Sequence, residues 1–221
     1  MPNIFDIFLA LSGVSLCGIG VGFASCASLG MDSIGLFYDG VRNILGFSSD
    51  MLGVASFIVS GIIMIFLFFA SRKYVSIGTI IYIIAYGSFV SVGSLIYNGV
   101  VSGDSLAVRI VFSCVGYILL YIGLGIYVAI DIGVDAFTGI VLFLSDKTHF
   151  EMKYVKIVFD VILIIIGTVL GGTIGAATFV TMIVAGPIIQ FLSKRFQVLY
   201  FKFKVKNAKK KESSRDQKIG K

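Results

Sequence analysis

Six long apolar runs, each bounded by charged residues, divide this chain at about 4–29, 51–70, 74–97, 106–130, 152–171 and 174–193. A helix that crosses a bilayer takes about 20 mostly apolar residues, so each run predicts one spanning helix. The fold class expected is therefore all-α transmembrane with six spans. If one run were re-entrant the count would fall to five, and Arg72 and Lys73 would lie on the opposite face from the C-terminal tail. Two intervals of about twenty residues, after the first and fourth runs, are too polar to span and too apolar for ordinary loops. In the first, Met31, Ile34, Phe37, Val41 and Ile44 recur every three or four residues opposite Asp32, Asp39, Arg42 and Asn43. That period predicts a short amphipathic helix, interfacial or re-entrant. Its second copy runs from Val134 to about Ser145, with Phe137, Ile140, Val141 and Leu144 as the apolar side.

The two intervals belong to a repeat. The pattern G-x6-G-x-G-x7-G-x-D occurs at Gly13, Gly20, Gly22, Gly30 and Asp32, and again, shifted by 103 residues, at Gly116, Gly123, Gly125, Gly133 and Asp135. Thr79 and Gly87 of the third run match Thr178 and Gly186 of the sixth at an offset of 99. Three spans per copy is an odd number, so the copies are expected to be inverted in the membrane. That is a recurrent plan of secondary transporters, with the site where the halves meet, although channels and scaffolds share it. The division predicted is a first repeat over 1–100, a second over 101–193 and a basic tail over 194–221.

Composition agrees with a membrane protein: 57% of residues are apolar and 14% charged, with a mean hydropathy of +1.01, where a soluble domain carries about 25% charged residues. The net charge of +6 is misleading, because residues 194–221 hold eleven Lys or Arg against Glu212 and Asp216. The rest of the chain is net acidic. The tail reads as a cytoplasmic anchor drawn to anionic lipid headgroups, with no nucleic-acid partner, and then as a solvated, disordered end. Arg72 and Lys73, then Lys147, Lys153 and Lys156, then the tail, fall on alternate connections, so one orientation places all of them and both termini in the cytoplasm. The other connections carry Asp32, Asp39, Asp50 and Asp104, with Arg42 as the exception, and Tyr74 and Tyr97 bracket the third span as interfacial aromatics. Cys17, Cys26 and Cys114 have no metal-site or disulfide spacing. His149 has no catalytic companions. No metal, no cofactor and no enzyme are expected.

The candidate site residues are acids and hydroxyls. Asp160 is the carboxylate inside a span, and an ionisable group at depth costs at least about 2.5 kcal/mol, so it is expected to face the protein interior or water. Lys156, four residues earlier on the same helical face, offers a structural pair. The matching position in the first copy is Gly61. Asp32 and Asp135 follow glycines that would end one helix, where an acid caps the next; alternatively they gate the two mouths of the inverted halves. Asp131, in the second copy alone, adds acid on the inner side. Thr79 and Thr178 are further candidates for coupling substrate or ion, and Pro187 predicts a kink in the last span. Gly13, Gly20, Gly22, Gly116, Gly123 and Gly125 read as the interface between halves, or as a backbone-lined path.

These residues resemble the bacterial YczE/YitT group of multi-pass membrane proteins. The likeness covers nearly all of residues 8–193: Asp32 after a glycine-rich span, an amphipathic segment, Gly78-Thr79, Gly133-x-Asp135, and above all GGTIGAATFVTMIVAGPIIQ over 171–190. An acid resembling Asp160 occurs in that group too. In the group the first acid commonly follows Gly-x-Pro-Trp, whereas here it follows Gly30-Met31 and there is no tryptophan. The resemblance implies a bacterial plasma-membrane location and the helical fold. The function expected is a transporter or exporter of an unidentified small molecule, with the lipid bilayer as its surroundings. The alternative is a non-transporting assembly protein that binds a membrane partner or lipid.

Overall fold

The computed structural model describes residues 3–101, 103 and 105–219, with side chains described as far as Val205; Asp104 lies outside the described residues. The described chain is helical: α1 (Ile4–Ala27), α2 (Ser33–Ile44), α3 (Leu52–Ala70), α4 (Ile77–Val100), α5 (Leu106–Ile130), α6 (Ala136–Thr148), α7 (Met152–Val169) and α8 (Ala176–Ile219). Five of these, α1, α3, α4, α5 and α8, are long and apolar enough to cross a membrane. The sixth predicted span is α7, only 18 residues long, and it carries Lys153, Lys156 and Asp160. Large apolar side chains stand out from the surface all along the bundle, among them Ile62, Phe66 and Phe69 on α3 and Phe179 and Ile183 on α8. Only a lipid environment accommodates so much exposed apolar area.

α1 and α5 form the centre. They are antiparallel, because Gly13 lies against Gly123 while Gly20 lies against Gly116. A Cβ on Gly13 would sit 2.9 Å from the Gly123 carbonyl oxygen, so the two backbones meet without side chains between them. Small residues permit this approach, and dispersion across it replaces the hydrophobic drive that lipid removes. α1 also runs alongside α4, with Gly18 against Tyr86 and Val90 and Gly22 against Val90 and Ser94, and α5 packs on α8 through Gly125 and Leu192.

The short helices pack within the bundle. α2 buries Ser33, Gly35, Leu36, Tyr38, Asp39 and Gly40, and packs on α7, where Gly167 meets Leu36 and Phe37. The polar side that the period assigned to water is turned inward: Asp39 is 1% exposed, accepting the Thr173 amide at 2.7 Å and pairing with Arg42 at 3.0 Å. α6 packs in turn on α3, where Gly139 meets Leu67. Sequence periodicity missed this because a helix enclosed within a bundle needs no solvent face.

Three further expectations change. α4 begins at Ile77 rather than 74, since Ser76 and Thr79 form a reciprocal capping box. Tyr97 is buried between Phe23 and Phe112, not at an interface. α8 continues through Pro187 and the basic segment to Ile219 in place of a disordered end; Lys, Glu, Gln, Arg and Ala there are all good helix formers. The first turns of its extension are fastened to the start of α1. Phe203 stacks on Phe5 at 4.9 Å, and Asp6 accepts from Tyr200 at 2.6 Å and from Lys204 at 3.2 Å.

Candidate functional site

The two Gly-x-Asp segments fold alike. α1 ends on Ser28 and α5 on Asp131, both left-handed with φ of 51° and 54°. Thus the helices stop before the glycines, and Asp131 is the exposed end of α5. Gly30 and Gly133 then take positive φ, where a side chain would be strained. Each is also pressed against the start of a distant helix: Gly30 against Gly175 and Thr178 of the α8 entry, Gly133 against Ser76, Gly78 and Thr79 of α4. Asp32 and Asp135 follow as the N-cap residues of α2 and α6. Asp135 closes the cap on the Thr138 amide at 3.0 Å. Asp32 faces Gly35 in the same relation without closing a capping bond.

Thr79 and Thr178 are completely buried and serve the backbone. The Thr79 hydroxyl accepts from the Ser76 amide at 3.3 Å, and the Thr178 hydroxyl accepts from Gly175 at 3.3 Å and from Met31 at 3.1 Å. The second bond ties the Gly30 junction to α8. Both threonines therefore lock helix starts and present no free oxygen toward a cavity.

Asp32 and Asp160, by contrast, are brought together. The Ser33 hydroxyl donates to Asp160 at 2.7 Å, and Lys156 grips both Asp160 oxygens at 2.6 and 2.7 Å. Lys156 and Asp160 both act electrostatically on the adjoining Asp32. Two carboxylates, one ammonium and one hydroxyl thus surround the N-terminus of α2, whose dipole favours negative charge. The cluster is half-buried, the Lys156 and Asp160 side chains retaining 37% and 25% exposure. The repeat has nothing like it on the other side: at the matching offsets Asp160, Ser33 and Lys156 become Gly61, Ala136 and Phe57, and a Cβ on Gly61 would touch nothing.

Other polar groups escaped the sequence reading. Periodicity places Asp39 and Arg42 on the polar side of the short helix without naming their partners, and it gives Asp6 no role. A buried set of tyrosines, Tyr38, Tyr82, Tyr86, Tyr117, Tyr121 and Tyr127, lies in the core beside α1. Its signal was visible only as tyrosines recurring inside spans. Tyr117 donates to the Gly30 carbonyl at 2.8 Å, and Tyr38 and Ser60 share a hydrogen bond at 2.6 Å.

Two cavities of about 590 Å³ open at opposite ends of the bundle. One lies by Cys26, Asn98 and Arg109, whose guanidinium caps α1 by donating to the Ala27 carbonyl at 2.7 Å and the Ser28 carbonyl at 2.9 Å. The other lies by Tyr74 and Phe143, where Lys73 pairs with Asp146. That exposed bond pushes the Lys73 ammonium up to about 12 and holds the Asp146 carboxyl below its ordinary value. Neither cavity reaches the Asp160 cluster.

A family of unknown function, DUF6198, matches residues 4–194. The chain belongs to the DUF6198 family. Within reach of it are an uncharacterised protein of Haemophilus influenzae, 23% identical over 84% of this chain and 82% of that one, and the uncharacterised membrane protein YczE of Bacillus subtilis, 25% identical over 68% and 69%. No solved structure gives a significant match. With its apolar helices and the YczE relative, this DUF6198 member is a multi-pass membrane protein.

Proposed function

We propose that this protein is a secondary transporter or exporter of a small molecule in the bacterial plasma membrane, built from two inverted three-helix repeats with α7 as the sixth span. Reciprocal contacts support the inversion. The Gly13–Gly123 contact becomes Gly116–Gly20 under the repeat offset, and Gly30 against α8 becomes Gly133 against α4. Leu36 against Gly167 has a near counterpart in Gly139 against Leu67, one residue from the equivalent Phe68, with large and small exchanged. In this reading α2 and α6 are the short broken elements whose N-termini face a site inside the bundle. Both termini lie in the cytoplasm, with Lys73, Lys147, Lys153 and the α8 extension at that face.

The observation that carries transport is the one-sided Asp32–Ser33–Lys156–Asp160 cluster at the start of α2. A duplicated scaffold needs no polar cluster at only one of two equivalent places, and ionisable groups at membrane depth mark ion or substrate paths. Asp160 and Asp32 are the coupling groups of this reading, and Asp135 the cap that shapes the opposite half. The closed glycine seam between α1 and α5 favours the second reading, a non-transporting assembly protein that binds a membrane partner or lipid.

The two separate in one experiment. Vesicles containing the purified protein are loaded with a cell extract, and the solutes retained are compared by mass spectrometry with protein-free vesicles and with Asp160→Asn. Transport predicts a solute lost through the unmodified protein and retained with Asp160→Asn. If no solute differs among the three, the transport reading fails.

A further inference from the structure

Six tyrosines are buried in the core, and the repeat supplies a partner position for every one: Tyr38 and Val141, Tyr82 and Thr181, Tyr86 and Ala185, Tyr117 and Val14, Tyr121 and Gly18, Tyr127 and Ala24. Each partner is small or aliphatic. The buried aromatics on the equivalent helices, Phe23 of α1 and Phe137 of α6, carry no hydroxyl, so the bias is toward phenols. The rings form two contact groups: Tyr82 stacks on Tyr86 at 5.2 Å and meets Tyr127 at 5.0 Å, and Tyr86 reaches Tyr38 at 6.2 Å, while Tyr117 stacks with Tyr121 at 6.1 Å.

Two of the hydroxyls have no partner. Tyr121 and Tyr127 are 7% and 2% exposed, and neither hydroxyl makes a hydrogen bond. Buried polar groups in proteins are ordinarily satisfied, so one hydroxyl left open in each group points to a ligand. The surrounding charge selects its sign. Asp32 acts on Tyr38, Tyr86, Tyr117 and Tyr121, and Asp135 acts on Tyr38, Tyr82, Tyr86 and Tyr127. Lys156, beside Asp32, is committed to Asp160, and Arg42 to Asp39. The protein's own cations stack on other rings, such as Phe68, Tyr74, Phe143 and Tyr200, and among the described residues none stacks on these six tyrosines.

We propose that this one-sided tyrosine cluster, flanked by Asp32 and Asp135, is the binding site for a small organic cation, an ammonium carrying both apolar and hydrogen-bonding substituents. The negative faces of the rings attract the cationic head, the two carboxylates balance its charge, and the open hydroxyls of Tyr121 and Tyr127 take its polar substituents. This names a substrate class and rests on the transport reading for its purpose, but binding itself does not require that reading.

The test is equilibrium dialysis of the full chain in nanodiscs against phenyltrimethylammonium, with tert-butylbenzene as its neutral isostere and protein-free nanodiscs as the reference. Saturable binding of the cation and none of the isostere above reference is expected. Tyr82→Phe, which keeps the ring, should stay within about threefold of the unmodified affinity, and Tyr82→Leu should lose about tenfold. Absence of saturable binding, equal binding of the isostere, or equal loss in the Phe and Leu variants would overturn the proposal. Should Tyr82→Leu not fold, the cation and isostere on the unmodified chain decide it. A cell-extract solute that moves through the unmodified protein but not through Asp160→Asn, with no cation binding, would remove this substrate class and leave transport standing. Cation binding without any moving solute would do the reverse.

Discussion

The contact between α1 and α5 makes a quantitative demand on its glycines. A Cβ on Gly116 would lie 2.5 Å from the Gly20 carbonyl oxygen and 3.1 Å from the Ala24 amide nitrogen. Ordinary contact begins near 3.4 Å, so Gly116→Ala forces the two backbones apart by roughly 1 Å, and neither obstacle is a side chain that can swing away. Overpacking of this kind costs about 1–3 kcal/mol. Gly61→Ala supplies the reference, because it also lies inside a helix and its Cβ would touch nothing. Both substitutions gain the same helix propensity, up to about 1 kcal/mol, and that term cancels in the comparison. Gly116→Ala should therefore be less stable than Gly61→Ala by about 1–3 kcal/mol. The chain has no tryptophan, so unfolding in mixed detergent micelles is best followed by far-ultraviolet circular dichroism. Equal stability of the two variants would refute the backbone-to-backbone seam.

Three further outcomes follow from the polar contacts. Asp39→Ala leaves Arg42 buried without its partner and the Thr173 amide without an acceptor, and should cost about 3 kcal/mol in the same unfolding assay. Thr178→Val keeps the shape but removes the acceptor for Met31 and Gly175, a loss of about 1–3 kcal/mol, and should raise hydrogen exchange at both amides. Asp160→Asn leaves the Lys156 ammonium without its carboxylate at membrane depth and should cost about 3 kcal/mol; Asp160→Leu combined with Lys156→Met should recover most of it, and recovered stability without recovered transport would separate the fold from the function.

The five long apolar helices and the glycine contacts were legible because both leave one-dimensional signals. Runs of apolar residues fix length, and glycines recur where backbones touch because nothing larger is tolerated there. The Lys156–Asp160 pair was legible for a similar reason, as four residues on a helix return to the same face. Placement of the short helices was not. Periodicity separates two faces of α2 but does not say what covers each, and the polar face found Thr173 and Asp160 on another element instead of water. The Gly-x-Asp segments were read as glycine-ended helices, whereas Ser28 and Asp131 take that place and free Gly30 and Gly133 for close contacts with distant helices. Those contacts join residues more than fifty positions apart, which no local pattern records. The tyrosine cluster was hidden for the same reason: its members come from α2, α4 and α5 and meet only in the folded core.

Alternating access to the cluster at the start of α2 is the centre of the functional account, and Ser33 is the residue to watch because it is buried yet bonded to Asp160. With Cys17, Cys26 and Cys114 replaced by serine, Ser33→Cys can be challenged with a membrane-impermeant thiol reagent in right-side-out and in inside-out vesicles. The account predicts labelling from both sides, with Asp160→Asn shifting the two rates in opposite directions. Labelling from one side only, or from neither, would contradict it.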